Sequence, residues 1–243
     1  MGRVNLLLLR QEELDPEGVV RLTGRRLEHA REVLRVQQGQ ALRVGVLGGL
    51  MGTGEVLSED REALVLKVSV TLPPPPRAGV SLVLAVPRPK QLKRVIPAVA
   101  SLGVDRVVLV NAARVEKSYF DSKVLAQEFL DGLIELGLEQ ACDTVRPTLE
   151  IRQRLKPFIE DELSTWAPAD ALRQVPHPHT ATPLRPVPAS THVVLAIGPD
   201  GGWVPFEIEL FVKHGFQPVS LGPRVLRGEV AVPAVLGAVR AGT

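Results

Sequence analysis

Two stretches near the end of the chain carry residue types suited to holding a small ligand through the backbone. The first is Gly198-Pro199-Asp200-Gly201-Gly202, which follows the apolar run HVVLAI (192–197) and precedes a helical pattern. The second is Leu221-Gly222-Pro223-Arg224-Val225-Leu226-Arg227-Gly228-Glu229, which follows FQPVSL (216–221). Paired glycines let a backbone approach a ligand closely, and the N–H groups of a following helix start favour partial negative charge. Two such loops on neighbouring strands would wall one pocket. Each alone also reads as a tight strand-to-helix turn. Other candidates are weaker. GGLMGTG (48–54) has no lysine–serine ending and lies between two strands, so it is a hairpin turn and not a phosphate loop. His177-Pro178-His179 has no cysteine nearby, and only His29, His192 and His214 remain, so no metal site is expected. Cys142 reads as a small packed side chain in or near a long helix, and no Ser–His–Asp arrangement has local support.

The elements that must position these loops fall into two groups around Pro73-Pro74-Pro75-Pro76, a run that continues neither a helix nor a strand ladder. The expected organisation is an N-terminal domain over residues 1–72, a linker over 73–79 and a C-terminal domain over 80–243. Before the linker, ALRVGVL (41–47), GEVLSE (54–59) and ALVLKVSVTL (63–72) read as strands. One helix precedes them, with Leu27, Ala30, Val33 and Leu34 on its apolar face and Gly39 as its stop. Arg25, Arg26, Arg31 and Arg35 lie mostly off that face. The expectation is a small β-barrel carrying a basic helix, a type that commonly binds nucleic acid.

After the linker the period changes. VSLVLAV (80–86) is a strand buried on both faces, followed by a helix with Leu92, Val95, Ile96, Val99 and Leu102 on one side. VDRVVLV (104–110), a long helix from about 122 to 143, a strand near 148–151 and a mostly irregular proline-rich stretch from 168 to 188 come next. A strand at 192–197, a helix over about 205–214, a strand at 216–221 and a helix over about 229–240 complete the chain. This alternation predicts a parallel α/β sheet with ligand loops at the carboxyl ends of its strands.

The 243 residues suffice for one or two domains with a real core, and 45% hydrophobic against 23% charged residues excludes disorder or a disulfide scaffold. No run of 18 apolar residues is present, the four leucines near the N-terminus are too few for a secretory core, and one cysteine suits a reducing compartment. The expected location is the cytoplasm, without a membrane partner. Net charge is only +2, but Arg21 to Arg43 holds six arginines against Glu28 and Glu32, and Arg88, Lys90, Lys93 and Arg94 form a second cluster. Arginine suits phosphate recognition, and Arg21, Arg25, Arg26, Arg31, Arg35, Arg88 and Lys90 are the candidate RNA contacts. Simple arginine-rich composition is the competing reading.

LAIGPDGGW with its following glutamate (195–207) and SLGPRVLRGEVA (220–231) together resemble the paired signature loops of the RsmE family, the 16S rRNA uracil-N3 methyltransferases of the SPOUT class. RLTGRRLEHAREVLRVQQGQALRVG (21–45), VPRPKQLKRVIPAVASLGVDRVVLVNAARVEKSY (86–119) and GLEQACDTVRP (137–147) extend the resemblance over nearly the whole chain. It implies an N-terminal PUA-like RNA-binding β-barrel and a C-terminal SPOUT α/β domain whose parallel sheet ends in a trefoil knot. S-adenosylmethionine is the implied cofactor, 16S rRNA or the small ribosomal subunit the implied substrate, and a homodimer through the C-terminal domain the implied assembly. By the same carry-over the cofactor pocket comprises His177, Pro178, Ile197, Gly198, Pro199, Gly201, Gly202, Leu221, Gly222, Arg224 and Leu226.

The N3 proton of uridine must leave during methylation, so a base or a stabiliser of the uracil anion is wanted. Arg227 is the candidate to stabilise that anion or bind a phosphate. Glu229 is the candidate base or orienter, against the alternative that it merely suits the dipole at the start of the last helix. Where the family's second loop places threonine after the glutamate, this chain has Val230; it also has Gly228 in that loop, and Asp143 where relatives often carry arginine. These departures mark a divergent branch. They leave two alternatives beside the N3 methyltransferase: a non-catalytic RNA-binding homologue, and a methyltransferase of the same fold with another RNA target.

Overall fold

The computed structural model describes residues 5–120, 122–178 and 180–241, with only the backbone for His29, Val33 and Leu34. They form two compact units: residues up to Pro76 together with Glu135–Arg146, and Arg77–Ile134 together with Pro147 onward. The sequence reading kept 135–146 in the C-terminal domain; the structure groups these residues with the N-terminal ones.

The first unit is a curled, mixed sheet of β1 (Leu7–Leu9), β2 (Val19–Leu22), β3 (Ala41–Val46), β4 (Met51–Glu59) and β5 (Leu64–Leu72) in the order β1-β3-β4-β5-β2. β1 runs parallel to β3 and the remaining neighbours are antiparallel. The barrel is an open one, with β1 and β2 as its two edges. Register shifts in the β4–β5 ladder curl the sheet, and a Cβ on Gly52 would lie 2.0 Å from the Ser69 carbonyl oxygen, so only glycine fits that bend. Met51–Gly54, read as part of the hairpin turn, belongs to β4; the turn itself is Leu47–Leu50. Leu7, Leu9, Val20, Leu22, Leu42, Val44, Val56, Leu64 and Leu66 face one another in the core with Leu27 and Ala30.

Leu27 belongs to α1 (Gly24–Glu28), and the chain continues through a wider π-type turn, His29–Leu34, which includes Ala30. The side chains of Val33 and Leu34, assigned to the same face from the spacing, lie outside the described residues. Arg35, at φ 50°, ends this helix; Gly39, the expected stop, comes later and serves the next turn. Glu135–Arg146 contributes carbonyl and hydroxyl partners to this sheet. Leu6 N–H donates to the Glu139 carbonyl (2.9 Å), Gly48 N–H to the Thr144 carbonyl (2.8 Å), and Thr144 Oγ1 to the Gly49 carbonyl (2.6 Å).

The second unit is a parallel sheet of β6 (Val80–Ala85), β7 (Arg106–Val110), β8 (Thr148–Arg152), β9 (Leu172–Pro176), β10 (Val193–Ile197) and β11 (Gln217–Val219), ordered β11-β9-β10-β6-β7-β8. β6 and β10 are buried along their full length, which explains their unbroken apolar runs. The helices are α2 (Pro89–Ser101), α3 (Lys117–Phe120), α4 (Gln127–Ala141), α5 (Leu155–Pro157), α6 (Leu163–Trp166), α7 (Pro205–Lys213) and α8 (Gly228–Val239). α2 buries Leu92, Val95, Ile96 and Val99, but Leu102 is past its end and exposed. α4 begins at Gln127, later than expected, and Cys142 is not packed inside it: it follows the helix at φ 54°, partly exposed. Among the described residues no helix is long and apolar enough to cross a membrane.

The largest departure from the sequence reading is β9. The 168–188 stretch was expected to be mostly loop, yet Leu172–Pro176 is an interior strand paired on both sides, with β10 and with β11. The stretch after it, 177–191, returns the chain to β10. It is fastened to the end of the last helix by Arg240, whose guanidinium donates to five carbonyls: Ala78 (2.6 Å), Gly79 (2.7 Å), Val187 (3.0 Å), Pro188 (2.9 Å) and Thr191 (2.9 Å). Gly79, at φ 65°, is obligatory there, since a Cβ would sit 3.0 Å from the Arg240 Nη2. Near it, Ser81 Oγ and His192 Nε2 are 2.9 Å apart.

Arg240→Met removes all five donors while keeping most of the apolar stem. It is expected to lower unfolding stability by about 2–4 kcal/mol in urea titration, from the loss of the charged donor, since Gly79 and Pro188 keep the Val193 and Thr191 amides but the other three carbonyls lose the guanidinium. Burial depresses the His192 pKa below its ordinary 6.5. The unfolded chain therefore binds this proton more readily than the folded one, so His192 favours unfolding as pH falls below 6.5. Thermal midpoints measured from pH 8 to pH 5 are expected to fall over the acid part of that range, and less steeply in His192→Gln.

Candidate functional site

β11, β9 and β10 are adjacent and parallel, so the loops leaving their carboxyl ends emerge side by side. They enclose a cavity of about 250 Å³. His177 and Pro178 come from the β9 end, Ile197 to Gly202 from the β10 end, and Leu221, Gly222, Arg224 and Leu226 from the β11 end. All eleven residues assigned to a cofactor pocket line this one space. His179 lies outside the described residues. Arg114, Pro176, Asp200, Trp203, Val225, Gly228, Ala231 and Val235 complete the described lining.

The glycines are required by geometry. A Cβ on Gly198 would lie 3.1 Å from the Trp203 amide nitrogen and 3.2 Å from its indole ring, and a Cβ on Gly201 would lie 2.9 Å from Arg114 Cδ. Gly202 and Gly222 adopt φ 72° and 112°, a region that L side chains rarely enter. Trp203 is buried behind the loop, its indole N–H donating to the Ala196 carbonyl (3.3 Å) and its ring edge-on to Phe211 at 4.9 Å.

A buried carboxylate sets the loop's position. Glu207 Oε2 accepts from the Val204 amide (2.9 Å) in the first turn of α7, and Oε1 accepts from the Ala113 amide (2.8 Å) in the loop after β7. In the same loop, the Arg114 guanidinium donates to the Gly201 carbonyl. Glu207 thus joins the β7 loop to the helix that follows the glycine loop. Pro205 at the start of α7 and glutamate two residues on were the available sequence signal, but nothing local indicated the Ala113 partner.

A second cavity of about 360 Å³ adjoins the first, lined by Arg88, Gln91, Asp200, Val225, Leu226 and Arg227. Asp200 is held on both oxygens: Gln91 Nε2 donates to Oδ1 at 3.0 Å, and Arg88 Nε lies 3.1 Å from Oδ2. Arg227 is exposed on this second space. Glu229 lines neither; its Oε1 is 3.3 Å from Arg94 Nη1. Sequence reasoning passed over Asp200, Gln91 and Arg114, because their relevance comes from contacts across long stretches of chain.

The basic residues are less available than their run in the chain suggests. Arg26 is half-buried, with Nη1 donating to Glu13 Oε2 (2.8 Å) and to the Leu8 carbonyl (3.2 Å), and with Nη2 against Glu13 Oε1. Those bonds hold the Glu13 pKa below its ordinary value. Arg31 pairs with Glu59 at 2.8 Å, Arg25 lies 3.8 Å from Glu139 and Arg21 3.9 Å from Glu62. The local excess counted along the sequence is offset in space by acids from other segments. Arg35, Arg88 and Lys90 are exposed.

An α/β protein with a glycine-walled cavity at the carboxyl ends of parallel strands is the class defined by this fold and site. Residues 74–240 match the RNA methyltransferase domain family, and the chain belongs to it. Ribosomal RNA small subunit methyltransferase E of Treponema pallidum is 29% identical over 98% of this chain and 91% of its own length. A methyltransferase from Legionella pneumophila, solved in complex with the bound cofactor SAM, superposes with TM-score 0.72 at 25% identity, covering 97% of this chain and 96% of that one. Ribosomal RNA small subunit methyltransferase E from Neisseria gonorrhoeae shares the fold with TM-score 0.77 at 20% identity, over 97% and 96% of the two chains.

Glu207→Ala is expected to leave the Ala113 and Val204 amides unpaired and to lower stability by about 1–3 kcal/mol in denaturant unfolding. Amide hydrogen exchange is expected to speed up at both positions.

Proposed function

We propose that the protein transfers a methyl group from S-adenosylmethionine to N3 of a uridine in 16S ribosomal RNA, acting on the small ribosomal subunit in the cytoplasm. The observation that carries this reading is the single cavity into which the loops of β9, β10 and β11 converge. Its residues fit the cofactor: Gly198 and Gly201 let the loop pack directly on Trp203 and Arg114, and Gly202 and Gly222, with open space where a Cβ would stand, leave peptide groups at the cavity wall without intervening side chains. When bound, S-adenosylmethionine supplies an electrophilic methyl group. The chain's own task is alignment and exclusion of water, since in-line transfer gains most from positioning. Trp203 closes the floor of the cavity, and Arg227, exposed on the adjoining space, is suited to negative charge on uracil or to a phosphate.

Three further parts of the reading are inferences of the same kind. A trefoil knot is supported by the return stretch, in which Leu184 N–H bonds the Ser220 carbonyl (2.8 Å), Ser220 N–H bonds the Thr182 carbonyl (2.8 Å), and Val187 N–H bonds the Val239 carbonyl (2.8 Å). Homodimerisation through the C-terminal unit is supported by exposed apolar residues there, among them Phe206 at 54% and Val230 at 49% exposure. For RNA, exposed Arg35 and Lys90 are the preferred phosphate contacts, with Arg21, Arg25, Arg31 and Arg88 in looser or paired positions.

Calorimetric titration with S-adenosylmethionine is expected to give saturable binding of one molecule per chain. Gly201→Leu, which must displace Arg114, is expected to weaken it beyond detection and to lower the thermal midpoint, while circular dichroism shows the chain still folded. Small subunits from a strain lacking the gene are expected to gain N3-methyluridine in 16S rRNA with the wild-type protein and none with Gly201→Leu. Absence of cofactor binding, or methylation at another atom or RNA, would refute the assignment.

A further inference from the structure

The adjoining cavity of about 360 Å³ is not accounted for by the cofactor. Asp200, Val225 and Leu226 line both spaces, so they stand at the junction where a methyl donor and its acceptor would meet. Among the described residues Asp200 is the only carboxylate lining either cavity.

Its carboxylate is aimed, not adrift. Gln91 is buried in the first turn of α2, and its Oε1 accepts from the Arg88 amide at 3.3 Å. That bond fixes the amide so that Nε2 donates to Asp200 Oδ1, while Arg88 Nε holds Oδ2 from the other side. An ionised carboxylate has about four lone-pair sites, so acceptor capacity remains after both contacts. Val225 and Leu226 offer an apolar wall to a planar base, and Arg227 brings positive charge to the same space. Glu229, the other acid of this region, faces Arg94 instead.

Building on the methyltransferase reading above, we propose that this second cavity receives the uracil of the acceptor nucleotide and that Asp200 takes its N3 proton. The atoms balance as follows: the N3–H bond breaks with the proton passing to an Asp200 carboxylate oxygen, and the nitrogen electron pair forms the new N–CH₃ bond. The C–S bond to the donor breaks with its electrons going to sulfur. Arg227 stabilises the charge that develops on the uracil oxygens. Arg88 and Gln91 are positioning residues that act through Asp200.

The test compares wild type, Asp200→Asn and Glu229→Gln with purified small subunits from a strain lacking the gene and with labelled S-adenosylmethionine. Asp200→Asn is expected to lose about 100-fold or more in kcat, the range of a positioned proton acceptor. Calorimetric affinity for S-adenosylmethionine and KM for the subunit are expected to stay within about threefold, because uniform binding is untouched. Asp200→Asn with kcat within about tenfold of wild type overturns the proposal. So does a loss of cofactor affinity in that variant, which would assign Asp200 to holding the cofactor. A large kcat loss in Glu229→Gln alone returns the proton to Glu229. Wild-type protein that neither binds the cofactor nor transfers a methyl group would instead remove the underlying functional reading, and the proposal with it.

Discussion

The guanidinium of Arg240 is the point on which the C-terminal unit depends. Five backbone carbonyls from three stretches, 78–79, 187–188 and 191, converge on its N–H groups. Irregular chain buries carbonyls with unused acceptor capacity, and arginine is the side chain with enough fixed donors to serve several at once. Burial lowers the Arg240 pKa, yet the ordinary value is so high that the group stays charged. Holding 187–191 against the end of α8 fixes the return path from β9. That path lets β9 sit between β10 and β11, and the cavity follows from their adjacency.

At the opposite end of the strands the same problem is solved by a carboxylate. Glu207 accepts two amides that would otherwise lack partners, one from its own helix and one from the loop after β7. Arg114, in that second loop, reaches the Gly201 carbonyl. The glycine loop is therefore held from beneath by Trp203 and from the side by the β7 loop.

Charge is organised pairwise across the chain. Arg94 takes Glu229 and Arg88 takes Asp200, so two acids close in space to the same loops have different surroundings and different access to the cavities. In the N-terminal unit Arg26 is a structural cation, committed to Glu13 and the Leu8 carbonyl. An arginine count along a helix measures composition, whereas recognition depends on which guanidinium groups remain unpaired after folding.

By itself the sequence determined three of the five N-terminal strands, β3, β4 and β5, though not β1 or β2, together with the apolar runs of β6 and β10 and the two glycine loops. These are local: side-chain period, turn chemistry and glycine requirement are properties of neighbouring residues. All eleven residues assigned to the pocket line one cavity because the loops after β10 and β11, strands separated by β9 and not neighbours as the sequence suggested, open on the same edge together with the loop after β9. Tertiary structure decided the rest. β9 was illegible because its five residues, Leu172–Pro176, include arginine, glutamine and a terminal proline, and only pairing on both sides makes them a strand. Asp200, Gln91, Arg114 and Glu207 acquire their roles from partners 94 to 109 residues away or from another loop, as in the Gln91–Asp200 and Ala113–Glu207 bonds. No local pattern encodes such a distance; it exists only once the parallel sheet has brought the carboxyl ends of its strands together.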